Sequence, residues 1–69
     1  MKLSARNTLP GVVTKVTKGA VNAEVDIRLR GGDTVVSIIT MGSLKTLGIK
    51  KGTKVYAVIK ASNVMVGVD

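Results

Sequence analysis

The chain contains no histidine, cysteine, phenylalanine or tryptophan, and Tyr56 and Pro10 are its only aromatic residue and its only proline. Without Cys or His there is no disulfide framework and no ordinary set of ligands for a structural zinc. Acid–base or covalent catalysis would fall on Lys, Ser or the four acids Glu24, Asp26, Asp33 and Asp69. Glu24 and Asp26 share a face two residues apart and could in principle hold a cation. Set between Asn22 and Arg28, they read more simply as partners of basic neighbours. The sequence therefore reads as that of a binding protein, not an enzyme. No apolar run approaches the roughly 20 residues of a membrane span. The start Met1-Lys2-Leu3-Ser4-Ala5-Arg6 lacks the apolar stretch of an export signal, so a cytoplasmic location is expected.

What is present is a short, apolar and basic chain. Its 69 residues make one domain, 1–69, and a domain of this size buries only about 60% of its unfolded surface. Yet 45% of the residues are apolar and mean hydropathy is +0.34. A small domain without staples often gains stability by oligomerising, which would bury such a surplus. Eleven Lys and Arg against four acids give a net charge of +7, and the pI is about 10.3. That balance suits nucleic acid, anionic lipid or small anions. Single-strand binders stack successive bases on aromatic rings, and this chain offers one ring.

The pattern is mostly β. Val21, Ala23, Val25, Ile27 and Leu29 alternate with Asn22, Glu24, Asp26 and Arg28, the period of a strand with one buried face. Gly31-Gly32 then separates this strand from the β-branched run Thr34 to Thr40, which predicts a tight hairpin with positive φ at both glycines. An earlier strand is predicted over about Gly11 to Thr17, ending at the Lys18-Gly19 turn, with Pro10 at its start or on an edge. A short helix is predicted over Gly42 to Leu47, capped by Thr40 and ended by Gly48. After the Lys50-Lys51-Gly52-Thr53 turn come a strand over Val55 to Lys60 and a last one over about Asn63 to Val68. Five short strands with one helix between the third and fourth match a small OB-like barrel; the pattern alone also permits an SH3-like barrel.

Two segments stand out chemically. Ser4-Ala5-Arg6-Asn7 and Lys60-Ala61-Ser62-Asn63 each set a basic side chain beside hydroxyl and amide donors, with no acid among them. Together they could surround an anion with donors. Each also has a plainer reading: Arg6 and Lys60 as solvated charges, Ser62-Asn63 as turn residues. Lys18-Gly19 is first of all a turn. Gly31-Gly32 joins strand to strand with no helix behind it, so it is hairpin geometry and not a phosphate cradle. Lys50, Lys51 and Lys54 read as a solvated edge, Met41 and Met65 as packing, and Tyr56 as a surface or interface anchor.

Ser4-Ala5-Arg6-Asn7, the stretch Lys18-Gly19-Ala20-Val21-Asn22-Ala23-Glu24-Val25 and Ile59-Lys60-Ala61-Ser62 resemble the molbindin (Mop or TOBE-type) family. The likeness covers essentially the whole chain, including the Gly-Gly hairpin, the Leu-Gly helix end and the Lys-Lys-Gly turn. It implies an OB-like domain that binds molybdate or tungstate and assembles as a hexamer, a trimer of dimers, with oxyanions held between subunits. Having neither a helix-turn-helix nor an ATPase core, the chain resembles the free-standing form, whose implied role is intracellular molybdenum storage or homeostasis. By the same resemblance a first type of oxyanion site uses Ser4, Arg6, Lys60, Ala61 and Ser62. A second type uses Lys18, Gly19, Ala20, Val21 and Asn22, largely through backbone amides near a symmetry axis. No bare metal cation, organic cofactor, nucleic acid or membrane partner is implied.

The residue chemistry agrees. Molybdate is a tetrahedral dianion whose oxygens accept and do not donate, so its site needs donors and positive charge without carboxylates. Arg6 supplies a rigid fork and Lys60 a point charge. A charge-assisted hydrogen bond is worth roughly 1.5–3 kcal/mol net, while micromolar affinity needs about 8 kcal/mol. Four or more donors are required, and two converging segments supply them where one tetrapeptide does not. The alternative function is an OB-type nucleic-acid-binding module using the basic surface. The single aromatic ring and the scattered basic residues weigh against it. A purely structural subunit would leave the two donor segments unexplained.

Overall fold

The computed structural model describes all 69 residues. In chain order it comprises β1 (Asn7–Lys18), β2 (Asn22–Leu29), β3 (Thr34–Thr40), α1 (Met41–Leu47), β4 (Lys54–Ile59) and a 3-10 turn over Ala61–Asn63. The four strands form one antiparallel sheet in the order β3-β2-β1-β4. The alternation read in β2 sets its faces: Ala23, Val25 and Ile27 are buried while Glu24 and Arg28 are exposed. Register carries that split across the sheet. Ile27 lies opposite Val13 on β1 and Val35 on β3, so one face gathers Val13, Ala23, Val25, Ile27 and Ala57, with Leu44 of α1 closing over them.

The helix forms as its sequence predicts. The Thr40 side chain accepts from the Ser43 backbone N–H at 3.0 Å, satisfying one of the free first-turn amides. Gly48 ends the helix at φ 64°, a conformation that glycine adopts without steric cost. Leu44 is thereby held against the sheet.

The sheet curls into an OB-like half-barrel. The edge strands β3 and β4 face each other across a groove lined by Val35, Val36 and Ile38 on one side and Tyr56, Val58 and Ile59 on the other. The sequence predicts a fifth strand over about Asn63 to Val68. Within the chain it is not formed: Ala61–Asn63 is a 3-10 turn, and residues 64–69 pair with no strand. The physical reason is the want of a partner: strand geometry is held by ladder bonds to a neighbour, and residues 64–69 make none with β3 or β4, the two edges of the sheet. Its sequence keeps a strand's alternation, with Val64, Val66 and Val68 on one side, and all three are exposed.

Two further features differ from the sequence reading. β1 begins at Asn7, not near Gly11, and Pro10 sits inside it opposite Tyr56. Pairing with β2 starts only at Gly11, so at Pro10 the strand has a neighbour on one side and a missing N–H removes no bond from the other. The β2–β3 hairpin is not a two-glycine turn. The Gly32 N–H donates to the Leu29 carbonyl at 3.0 Å, and of the two glycines only Gly32 has positive φ, at 99°. This is the longer loop in which a positive-φ glycine follows the turn.

Gly11 has a packing role that composition does not reveal. A Cβ at this position would lie 2.7 Å from the Arg28 carbonyl oxygen and 2.7 Å from Ile27 Cγ2, so β1 and β2 approach more closely there than a side chain allows. Three residues on, a β-bulge leaves Thr14 without a partner between the Val13 and Lys15 rungs and adds to the curl of the strand.

Candidate functional site

The first set of expected residues meets at one end of the sheet. Asn7 and Ile59 form the last rung between β1 and β4, and the Asn7 side-chain amide donates to the Ile59 carbonyl at 3.2 Å. One residue beyond this rung on each strand stand Arg6 and Lys60. Both chains then leave strand geometry, with bends at Ser4 and Arg6 and the 3-10 turn at Ala61–Asn63. Fifty-two residues of chain separate Asn7 from Ile59, and the antiparallel register alone brings their flanking segments together.

The donors at this end are free. Asn63 N–H bonds to the Lys60 carbonyl at 2.9 Å and Val64 N–H to that of Ala61 at 3.3 Å, which closes the 3-10 turn and leaves the Ala61 and Ser62 amides without a partner in the chain. None of the side-chain hydrogen bonds engages Ser4, Arg6, Lys60 or Ser62. All four residues are exposed. Like charges at neighbouring sheet positions repel, and no acid lies in either segment to relieve them. The end of the sheet thus presents two cations, two hydroxyls and two unpaired amides with no carboxylate among them, a set whose charge and donors favour an anion over a cation.

The second set lies elsewhere. Lys18 ends β1 and Asn22 begins β2, with Gly19, Ala20 and Val21 as the connection, all exposed. Here the Gly19 N–H is already engaged by the Asn22 carbonyl at 2.8 Å, while the Ala20 and Val21 amides have no backbone partner. A Cβ on Gly19 would lie 2.9 Å from that same carbonyl oxygen, so glycine is required by the turn itself. The two sets sit at opposite ends of the 12-residue β1, a separation of up to roughly 36 Å at 3.3 Å per residue. One chain does not combine them into one site.

Sequence reasoning missed a third arrangement. Arg28, Val12 and Lys54 are direct neighbours across β2, β1 and β4, and with Pro10, Arg30 and Tyr56 they line a groove on the outer face of the sheet. Lys54 read alone is a solvated charge and Tyr56 a lone ring. Only the register of three strands places them together.

The class these features define is that of small OB-like β-domains, here with two exposed, donor-rich segments. The TOBE domain is matched over residues 3–66. Molybdenum-pterin-binding protein 3 of Clostridium pasteurianum is 52% identical over 66 residues, covering 96% of this chain and 97% of that protein. Among solved structures, MopII from Clostridium pasteurianum superposes with a TM-score of 0.92 at 42% identity, over 97% of this chain and 100% of that one. The cytoplasmic molybdate-binding protein ModG, with molybdate bound, gives 0.95 at 49% identity, this chain covering 49% of its length. The chain belongs to the molbindin family of TOBE-type domains.

Proposed function

We propose that this protein binds molybdate and tungstate reversibly, at the interfaces of a homo-hexamer built as a trimer of dimers, and so stores or buffers molybdenum in the cytoplasm. The observation that carries the reading is the Asn7–Ile59 rung, which sets Arg6 beside Lys60 with unpaired Ala61 and Ser62 amides next to them. Ser4, Arg6, Lys60, Ala61 and Ser62 form the first type of site. Lys18, Gly19, Ala20, Val21 and Asn22, where the Ala20 and Val21 amides are free, form the second. The relatives carry the matching chemistry: ModG holds molybdate, and the Clostridium protein is named for molybdenum and pterin.

Support for self-association is the poverty of the single-chain core. Only six of 69 residues are buried, while Val36, Ile38, Tyr56, Val64, Val66 and Val68 stay exposed. Two unpaired sheet edges and an apolar segment without a strand partner are surfaces that a second copy covers. Assembly brings together subunits of charge +7, and bound dianions offset the resulting repulsion.

Crystals grown with tungstate test the location, since its anomalous scattering marks the anion directly. Peaks against Arg6, Lys60 and Ser62 between copies of the chain are expected. Peaks only at sites remote from both donor sets would overturn the assignment.

A further inference from the structure

Two patches belong to neither donor set, and they complement each other. The first is the outer face of β2 and β3, turned away from the core. Glu24 lies opposite Ile38 and Asp26 opposite Val36, and residues directly opposite across two strands share a face. Ile38 is 68% exposed and Val36 56% exposed. Two of the four acids of the chain thus stand beside two uncovered β-branched side chains. Although Lys15 is opposite Asp26, no side-chain hydrogen bond engages either carboxylate. A strand added along the free edge of β3 would pair with its backbone, and side chains stand perpendicular to a sheet, so such pairing leaves this face open.

The second patch is the corner where α1 ends and the chain turns toward β4. Lys45 is in the last helical turn, and Leu47 is 65% exposed while Leu44 is buried. Lys50 and Lys51 follow in a turn that is clamped on several sides. The Lys50 N–H donates to the Thr53 hydroxyl at 3.0 Å, the Thr53 N–H to the Lys50 carbonyl at 3.0 Å, and the Gly52 N–H to the carbonyl of the core residue Val13 at 2.8 Å. The lysines therefore stand on a fixed base. No acid occurs in the sequence between Asp33 and Asp69 to neutralise them. Within one chain the two patches do not meet. Leu44 of α1 closes over the inner face, and the 50–53 turn is bonded to β1 at Val13, with β2 between it and β3.

We infer that they meet between copies: Glu24 and Asp26 of one chain pair with Lys50 and Lys51 of the next, and Leu47 packs on Val36 and Ile38. A contact between two different patches is heterologous and closes only as a ring, whereas a two-fold contact joins one patch to itself. A trimer of dimers needs one contact of each kind. The inference rests on the proposed hexamer and assigns these residues to its three-fold contact. The three apolar side chains supply area to bury, and the charges supply register and direction. They also set the acids of each +7 chain against lysines of its neighbour. A nucleic acid or an anionic membrane would engage the lysines and leave Glu24, Asp26, Val36 and Ile38 unused.

Charge reversal separates this contact from the effect of net charge, with the mass of the full chain read by sedimentation in saturating molybdate. The Glu24→Lys, Asp26→Lys variant and the Lys50→Glu, Lys51→Glu variant should each associate at least ~10-fold more weakly than wild type and stop at the dimer. The second of these lowers the net charge, so general repulsion alone would make it associate more tightly. Combining all four substitutions returns the net charge to +7 with opposite charges again facing each other, and should restore the wild-type mass. Leu47→Ser, which alters no charge, should weaken association as well. Circular dichroism establishes that each variant is folded. Wild-type mass in either double variant, or a folded four-fold variant that fails to regain it, would overturn the contact and leave the hexamer standing. A monomeric wild type would overturn the hexamer and this contact with it.

Discussion

Asn7 and Ile59 close the last rung between β1 and β4, and the Asn7 side chain ties the two strands again through the Ile59 carbonyl at 3.2 Å. This one pair fixes where Arg6 and Lys60 stand relative to each other. A neutral hydrogen bond contributes about 0.5–1.5 kcal/mol net. Asn7→Ala should therefore weaken molybdate binding roughly 2- to 10-fold, although Asn7 is not among the proposed ligands. Calorimetric titration of wild type and variant checks this; identical affinity would mean that the rung does not position the site.

Arg6 should cost more. In the proposed site its guanidinium makes charge-assisted bonds worth about 1.5–3 kcal/mol, so Arg6→Ala should raise the molybdate Kd roughly 10- to 150-fold. Arg6 is exposed and makes no hydrogen bond within the chain, so the circular dichroism spectrum should not change. Equal Kd values would remove Arg6 from the site.

Gly11→Ala probes the fold and not the ligand. Its new Cβ would press on the Arg28 carbonyl, a backbone atom, at 2.7 Å. Overpacking of this kind costs about 1–3 kcal/mol. At fixed protein concentration the urea midpoint should fall by on the order of 1 M; an unchanged midpoint would show that β1 and β2 separate there without penalty.

Much of this architecture is legible in the sequence, and the parts that are not share a cause. The alternation from Val21 to Leu29 gives β2 with its faces, and Thr40 and Gly48 bracket α1, because these signals are local. Pro10 misleads about where β1 begins, since whether a missing N–H matters depends on which neighbours flank the strand at that rung. The segment from Val64 to Val68 has a strand's alternation, but strand formation needs a partner that the single chain does not supply. For the candidate site, the donor character of Ser4, Arg6, Lys60 and Ser62 is readable, and their convergence follows from register. The outer groove is invisible for the same reason: Arg28, Val12 and Lys54 are neighbours only after three strands are aligned.

Removing residues 64–69 tests the role of the unpaired segment. Val64, Val66 and Val68 are exposed in the single chain, and the proposed assembly gives them cover. Light scattering on the truncated chain should report a smaller oligomer than the full chain forms at the same concentration. The same mass for both would assign the association to other surfaces.

Ligand and assembly should be linked. A ligand that binds only the folded state stabilises it by about 2.7 kcal/mol at 100 times its Kd, which for a domain of this size corresponds to a rise in Tm on the order of 10 °C. Saturating molybdate should produce such a rise, and added salt should reduce the charge repulsion that the dianion relieves. A melting curve insensitive to molybdate would break the link.

The most direct measurement is calorimetric titration with molybdate at physiological salt in the presence of excess sulfate. Saturable binding at micromolar Kd or tighter is predicted, with sulfate failing to compete and a stoichiometry that reports whether one or both donor sets are filled. Absence of saturable heat would contradict the account and reduce the family relationship to a shared fold.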